Sequence, residues 1–157
     1  MRIGSGFDVH AFGPGDSIVL GGVRIPHTRG VVAHSDGDVV LHALCDALLG
    51  AAGLGDIGMH FPDTDPVWKG ADSRRFVASV LEMLAVRKLK LGNADITLLA
   101  QTPKVSPYRI EIRRSLAHML GVTENQVNIK ATTTEHLGFI GRNEGLAAQV
   151  TVLLEPV

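Results

Sequence analysis

The order of strand-like and helix-like segments is the feature of this 157-residue sequence that most constrains its fold. Alternating residues predict a first strand at 2–9, and Gly21–Gly22 predicts the turn of a hairpin between residues 17–20 and 23–25. Helical spacing of apolar residues then predicts three helices, and further β-type runs predict three strands: helices at 38–53, 73–89 (stopped by Gly92–Asn93) and 106–121, strands at 94–101, 127–134 and 146–155. The order indicates one α+β domain over residues 1–157, a mixed sheet with helices on one face in a ferredoxin-like split βαβ arrangement.

Composition narrows the class of protein. Hydrophobic residues make up 45% of the chain and the net charge is −1, which is typical of a globular domain and gives no sign of a nucleic-acid binder. No apolar stretch is long enough to cross a membrane, so we expect no membrane contact. The single cysteine, Cys45, lies in an apolar helical pattern and cannot form an internal disulfide. We therefore expect a cytoplasmic protein with a buried, inert thiol.

Asp8, His10 and His42 are candidate metal ligands. Residues i and i+2 of a strand point to the same face, so Asp8 and His10 can bind one ion, with His42 reaching it from the next helix. Imidazole and carboxylate groups suit zinc, and Asp38 and Asp46 share a helix face with His42 and could orient its ring. The alternative is that Asp38 caps the helix and His42 only packs against its neighbours.

A second candidate site follows the strand at 127–134. Hydroxyl groups, strand-end amides and the Glu135 carboxylate can hold a phosphate with its Mg²⁺, and Gly138, Gly141 and Arg142 permit further phosphate contact. The alternative is a threonine-rich strand that leads into a surface turn. Lys104 lies in a loop where it either contacts a phosphate or is solvated, and the aspartates at 36–38, 56 and 63–65 suit turns as well as hydroxyl or metal contacts.

Six sequence strings, in order along nearly the whole chain, resemble the 2-C-methyl-D-erythritol 2,4-cyclodiphosphate synthases of the non-mevalonate isoprenoid pathway. They are GSGFDVH at 4–10, AHSDGD at 33–38, GDIG at 55–58, FPDTD at 61–65, KGADS at 69–73, and ATTTE at 131–135 continued by GFIGR to 142. Each string alone is weak, but the set in this order is specific to the family.

The resemblance implies a homotrimer with active sites between subunits. Because the sequence ends at Val157, we expect no fused second enzyme. It implies a phosphorus–oxygen lyase that converts 4-diphosphocytidyl-2-C-methyl-D-erythritol 2-phosphate to the cyclic diphosphate with release of CMP. By position, Asp8, His10 and His42 match zinc ligands, Glu135 matches the ligand of a second divalent cation (Mg²⁺ or Mn²⁺), and His34 and Thr133 match residues that stabilise the transition state.

Further positions match substrate contacts. Those to the erythritol phosphate are Ser35, Asp46, Asp56, Ile57, Gly58, Phe61, Pro62, Asp63, Thr64 and Asp65. Those in a cytidine pocket from the adjacent subunit are Ala100, Gln101, Thr102, Pro103, Lys104, Val105, Ser106, Thr132 and Thr134. Phe139 and Arg142 match a cavity on the trimer axis that can hold an isoprenoid diphosphate. Ser5, the pair Met59–His60 and His136 depart from the commonest family residues, and none of them is a metal ligand.

Two other functions use the same residues. A zinc-dependent phosphohydrolase would activate water with the same ligands and release an open-chain product. A non-catalytic trimer could bind isoprenoid diphosphate or nucleotide, although a binding module would not need two metal sites. We therefore expect the synthase.

Overall fold

A computed structural model describes residues 1–157 as one α+β domain. Its strands are β1 (Arg2–Gly13), β2 (Ser17–Leu20), β3 (Val23–Pro26), β4 (Gly30–Val31), β5 (Leu89–Leu99), β6 (Val127–Thr132) and β7 (Gly145–Pro156). Its helices are α1 (Val39–Ala52), α2 (Ile57–His60), α3 (Arg74–Val86), α4 (Arg109–Leu120) and α5 (Gly138–Gly141), with single 3₁₀ turns at 66–68, 106–108 and 124–126. No helix is long and apolar enough to span a membrane.

Five strands form a mixed sheet in the order β4-β1-β7-β5-β6, and β2 and β3 form the expected separate hairpin. β7 is antiparallel to both of its neighbours, whereas β5 and β6 are parallel and are connected through α4. The mixed sheet is confirmed, and so is a split βαβ unit, because β7 lies between the parallel strands β1 and β5, but the ferredoxin-like order is wrong. Its elements alternate as β-α-β-β-α-β, whereas the main elements here run β-α-β-α-β-β because the final two strands follow each other without a crossover helix.

The helices cover one face of the sheet, as the sequence predicts. Along β7, Val150, Val152 and Leu154 are buried while Gln149 and Thr151 are exposed, which is the alternation of a sheet with one covered face. α1 packs on β1 and β7, α3 on β5, and α4 on β6. On the other face the side chains of Ile3, Phe7 and Val9 are exposed, so β1 presents apolar groups on the side away from α1.

Two glycines in β1 allow α1 to lie unusually close to the sheet. A Cβ atom at Gly4 would lie 2.0 Å from the carbonyl oxygen of Ala47, and one at Gly6 would lie 2.0 Å from that of Ala43. These contacts are shorter than any that packed atoms tolerate. Positions 4 and 6 of this inward-facing row therefore have to be glycine, and Asp8 and His10 continue the same row toward the start of α1.

Some predicted boundaries are wrong. The helix predicted to reach residue 89 ends at Val86, and β5 begins at Leu89 and runs through Gly92, which is the extra residue of a β-bulge between Leu91 and Asn93. Glycine and asparagine in sequence resemble a helix stop, but here the glycine accommodates the bulge. Ser106 begins a 3₁₀ turn ahead of α4 without a side-chain capping bond.

Candidate metal and phosphate site

Asp8, His10 and His42 meet at the end of the sheet where α1 begins. The first two side chains leave the inward face of β1, and His42 leaves the first turn of α1. Three pairs of atoms lie 3.1 Å apart: Asp8 Oδ2 with His10 Nε2, Asp8 Oδ2 with His42 Nδ1, and His10 Nε2 with His42 Nδ1. Each residue thus directs one donor atom to a common point, and the side chains are largely buried.

This triangle fits a tetrahedral zinc ion. Ligands about 2.0–2.1 Å from a tetrahedral centre lie about 3.3 Å from one another, close to the separations observed. Two imidazole nitrogens and one carboxylate oxygen suit zinc better than the hard cations Mg²⁺ or Ca²⁺, which prefer oxygen ligands. Three protein ligands also leave the fourth position open, as in catalytic zinc sites.

The charge state of Asp8 agrees with this use. Burial alone would raise its pKa, but the contacts of its carboxylate with the His10 and His42 rings, and the positive charge of those rings when protonated, outweigh burial and hold the pKa of the carboxyl well below its usual range. Asp8 is therefore an anion at neutral pH, which is the form that binds a metal.

Asp38 caps α1 and does not orient the His42 ring. Its carboxylate, which is fully buried, accepts hydrogen bonds from the backbone N–H groups of Gly21, Gly22 and Leu41. Burial raises its pKa to about 6, although these three bonds oppose the shift. The predicted cap is confirmed, and the carboxylate also ties the β2–β3 turn to the helix that carries His42.

Asp46 makes no hydrogen bond to the imidazole either. It accepts a hydrogen bond from the backbone N–H of Ile57 at 2.7 Å, and burial raises its pKa. The prediction that Asp38 and Asp46 orient the ring is therefore wrong. A shared helix face places all three residues in one row, but both carboxylates are taken up by backbone donors.

The His42 ring is instead held by two serines. Nε2 of His42 lies 2.8 Å from Ser73 Oγ and 3.1 Å from Ser35 Oγ. Ser73, which directly precedes α3, is fully buried and makes no side-chain capping bond to that helix. The only sequence signal for this role of Ser73 was its position within the KGADS string, because Ser73 and His42 lie 31 residues apart in sequence.

A cavity of about 510 Å³ adjoins the metal ligands. His34, Ser35, Ile57, Gly58 and residues 61–64 line it, as the resemblance implies for the erythritol phosphate. Trp68 and Phe76, which are not among the predicted site residues, also line it and form its apolar wall with Phe61. A larger depression of about 650 Å³, which includes Leu89 and Gln126, is lined by none of the predicted site residues and is not the site.

Two of the residues that the resemblance assigns to the erythritol phosphate, Asp56 and Asp65, do not line this cavity but cap the short helical turns beside it. Asp56 caps α2 through the N–H of Met59, and Asp65 caps the 3₁₀ turn at 66–68 through the N–H of Val67. His60, left without an assignment by the sequence, bonds to the carbonyl oxygen of Leu54 at 2.8 Å and is structural.

The other predicted site residues lie together but apart from the metal ligands. The backbone N–H of Thr134 donates to Gln101 Oε1, and Gln101, Thr102, Lys104 and Thr133 line one depression. At the same end of the sheet, β5 leads into residues 101–104 and β6 leads into Thr133, and these strands lie two and three strand spacings, or about 10 and 14 Å, from β1. Glu135 is exposed there, and it is not part of the Asp8 cluster.

The residues matched to an axial cavity lie beyond this group. Phe139 is 42% exposed and lines a shallow apolar depression with Thr134 and Leu137. Arg142 pairs with Glu144, with Nε 3.0 Å from Oε1. Ser5 lies on the open face of the sheet opposite Thr151, and His136 contacts Gln101.

Comparison with known proteins decides the family. The family profile named YgbB matches residues 1–155. The chain belongs to the YgbB family. Together with the named relatives below, this result confirms both the resemblance stated above and the prediction of an enzyme.

Relatives of this YgbB protein are similar over its whole length. A 2-C-methyl-D-erythritol 2,4-cyclodiphosphate synthase from Pseudomonas aeruginosa is 62% identical over 154 residues, which are 98% of each chain. The bifunctional IspDF of Campylobacter jejuni is 46% identical with a TM-score of 0.96, over 99% of this chain and 42% of that longer one. IspF of Plasmodium falciparum, solved as a CDP complex, is 35% identical with a TM-score of 0.87, over 99% and 96% of the two chains.

Proposed function

We propose that this chain converts 4-diphosphocytidyl-2-C-methyl-D-erythritol 2-phosphate to 2-C-methyl-D-erythritol 2,4-cyclodiphosphate and CMP. An oxygen of the 2-phosphate attacks the β-phosphorus of the same molecule, and the bond from that phosphorus to the oxygen bridging it to the α-phosphorus breaks. CMP leaves with the bridging oxygen. The observation that carries the proposal is the triangle of Asp8, His10 and His42 beside a cavity of about 510 Å³. Relatives of this chain are named 2-C-methyl-D-erythritol 2,4-cyclodiphosphate synthase.

The reaction needs no nucleophilic side chain, because both reacting groups belong to the substrate. Asp8, His10 and His42 would hold zinc, which supplies positive charge beside the transferring phosphoryl group. Glu135 would hold the second divalent cation, Mg²⁺ or Mn²⁺, through its carboxylate. The protein's own task is then to fold the substrate so that its two ends meet.

Residues that line the cavity suit this task. His34 and Ser35 can donate hydrogen bonds to phosphate oxygens beside the metal ligands, and the turn at 57–64 encloses the erythritol part. Residues 100–106 with Thr132, Thr133 and Thr134 would hold the cytidine and its phosphates, with Thr133 donating to the transferring group. An isoprenoid diphosphate at Phe139 and Arg142 stays a prediction.

We infer that the complete active site forms between subunits of a homotrimer. Within one chain, the strands that lead into the proposed cytidine pocket, β5 and β6, lie two and three strand spacings, or about 10 and 14 Å, from β1, which carries Asp8 and His10. The face of β1 opposite α1 exposes Ile3, Phe7 and Val9, and burial of these side chains in an oligomer would be favourable. A second chain packed on this face can bring its own residues 100–106 toward the first chain's metal ligands. A cytoplasmic location belongs to the same proposal.

Product analysis tests the reaction. Purified protein is incubated with the cytidine diphosphate substrate, zinc and Mg²⁺, and phosphorus NMR follows the products. We expect CMP and the cyclic diphosphate in equal amounts, with no turnover by His42→Ala. His118→Ala, at an exposed position on α4, is the matched control and should be fully active.

The rival functions give different spectra. CMP with an open-chain phosphate product would establish the phosphohydrolase. Absence of turnover by folded, zinc-loaded protein with both divalent cations present would contradict the proposal and favour the binding module.

A further inference from the structure

Ser73 and Asp36 form a hydrogen-bonded chain behind the metal-binding histidine. Ser73 Oγ donates to Oδ1 of Asp36, and it lies 2.8 Å from His42 Nε2. The backbone N–H of Ser73 also donates to Asp36, to Oδ2 at 3.0 Å. This contact fixes the serine and the carboxylate relative to each other.

The direction of the hydrogen bonds in this chain is determined by its last member. An ionised carboxylate can only accept hydrogen bonds, so the single hydroxyl proton of Ser73 is directed to Asp36. The lone pairs of Ser73 Oγ then face His42, and Nε2 has to be the nitrogen that carries the ring proton. In the neutral ring Nδ1 then presents a lone pair toward His10 Nε2–H, which lies 3.1 Å from both His42 Nδ1 and Asp8 Oδ2 and can donate to them.

Ser35 does not replace Ser73 in this role. Its oxygen is farther from Nε2, at 3.1 Å, and Ser35 lines the cavity where the substrate is proposed to bind. Ser73 is fully buried, does not line the cavity, and directly precedes α3 without a capping bond from its hydroxyl, because Asp72 accepts from the backbone N–H of Arg74 instead. A serine at this position normally caps the helix, so its orientation toward His42 indicates another use.

We propose that Ser73 and Asp36 are positioning residues that set the tautomer of His42 and so prepare its Nδ1 for zinc. The proposal rests on the metal site proposed above, but the tautomer itself is a property of the metal-free protein. Partners of this kind behind a metal-binding histidine typically contribute 10- to 100-fold to metal affinity.

Two variants separate the role of each residue. Ser73→Ala removes the acceptor for Nε2–H of His42, and we expect the dissociation constant for zinc to rise about 10- to 100-fold. Asp36→Asn can donate its amide proton to Ser73 Oγ, which frees the hydroxyl to donate to Nε2 and moves the ring proton to Nδ1. Asp72→Asn is the matched control, because Asp72 lies on the same loop but pairs with the exposed Arg74 and does not contact His42.

The primary measurement is nitrogen-15 NMR of the histidine rings in metal-free protein at alkaline pH, where imidazole is neutral. We expect the His42 proton on Nε2 in the wild type and in Asp72→Asn, and a shift of the population to Nδ1 in Asp36→Asn. Zinc dissociation constants from competition with a chelator give the second readout. A role confined to stability would lower the unfolding temperature without changing the tautomer.

A proton on Nδ1 of His42 in the wild type would overturn the proposal, and so would wild-type zinc affinity and tautomer in both folded variants. If neither variant folds, the wild-type tautomer still decides. Failure of the wild type to bind zinc would refute the proposed metal site, whereas the tautomer of the metal-free protein would be judged separately.

Discussion

Replacement of Gly6 by alanine should greatly weaken zinc binding, because it would increase the distance between β1 and α1. The new Cβ would lie 2.0 Å from the carbonyl oxygen of Ala43, which belongs to the helix backbone and cannot rotate away. Because packed heavy atoms lie about 3.5 Å apart, the helix would have to move away from the strand by more than about 1 Å. Ala43 directly follows His42, so the histidine would move with it.

Metal sites tolerate far smaller changes. Ligand distances in functional sites stay within about 0.2 Å of their ideal values, so a displacement of about 1 Å removes His42 as a ligand. Loss of a direct ligand costs more than loss of a supporting partner, and we expect zinc affinity to fall by more than about 100-fold. Overpacking should also lower the free energy of unfolding by about 1–3 kcal/mol.

Competition with a chromogenic chelator measures zinc affinity, and urea denaturation without metal measures stability. Gly50→Ala is the matched control, because its Cβ would meet nothing closer than Ser5 O at 4.0 Å and alanine favours a helix by about 0.5–1 kcal/mol. This control should bind zinc normally and be slightly more stable. Wild-type zinc affinity in folded Gly6→Ala would refute the reasoning.

Three other experiments test separate parts of the structure. Burial raises the pKa of Asp38 to about 6, above its value in the unfolded chain, so the folded protein loses stability as this carboxyl ionises. From pH 4 to pH 7 the wild type should lose up to about 3 kcal/mol relative to Asp38→Asn. Equal differences between the two proteins at both pH values, measured by urea denaturation, would contradict this. His27 Nε2 lies 3.0 Å from Thr102 Oγ1, so His27→Ala should weaken CDP binding about 2- to 10-fold by calorimetry, and unchanged affinity in folded protein would argue against this support of the pocket. Cys45 is fully buried and burial raises its pKa, so it should react with a thiol reagent only after unfolding; rapid labelling of native protein would be inconsistent with its burial.

Much of the fold could be predicted from local patterns. The Gly21–Gly22 turn, the start of α1 after Asp38 and the strand at 146–155 each depend on residues close in sequence, and the structure has all three. The bulge at Gly92 and the strand order could not be predicted, because they depend on pairing with β7, which lies more than 50 residues later.

The candidate site divides in the same way. Asp8 and His10 could be found from their spacing, since alternation in a strand fixes which side chains share a face. The partner of His42 could not. Helical spacing favoured Asp38 and Asp46, whereas the ring is held by Ser73 from the start of a different helix, and only the packing of α3 against α1 brings the two together.

Turnover in water enriched in oxygen-18 tests the central claim most directly. Ring closure within the substrate forms and breaks bonds to phosphorus without water, so mass spectrometry should find no oxygen-18 in either CMP or the cyclic diphosphate. Incorporation of one labelled oxygen into a phosphate of either product would show that water is the nucleophile. That result would contradict the cyclisation and make this protein a phosphohydrolase.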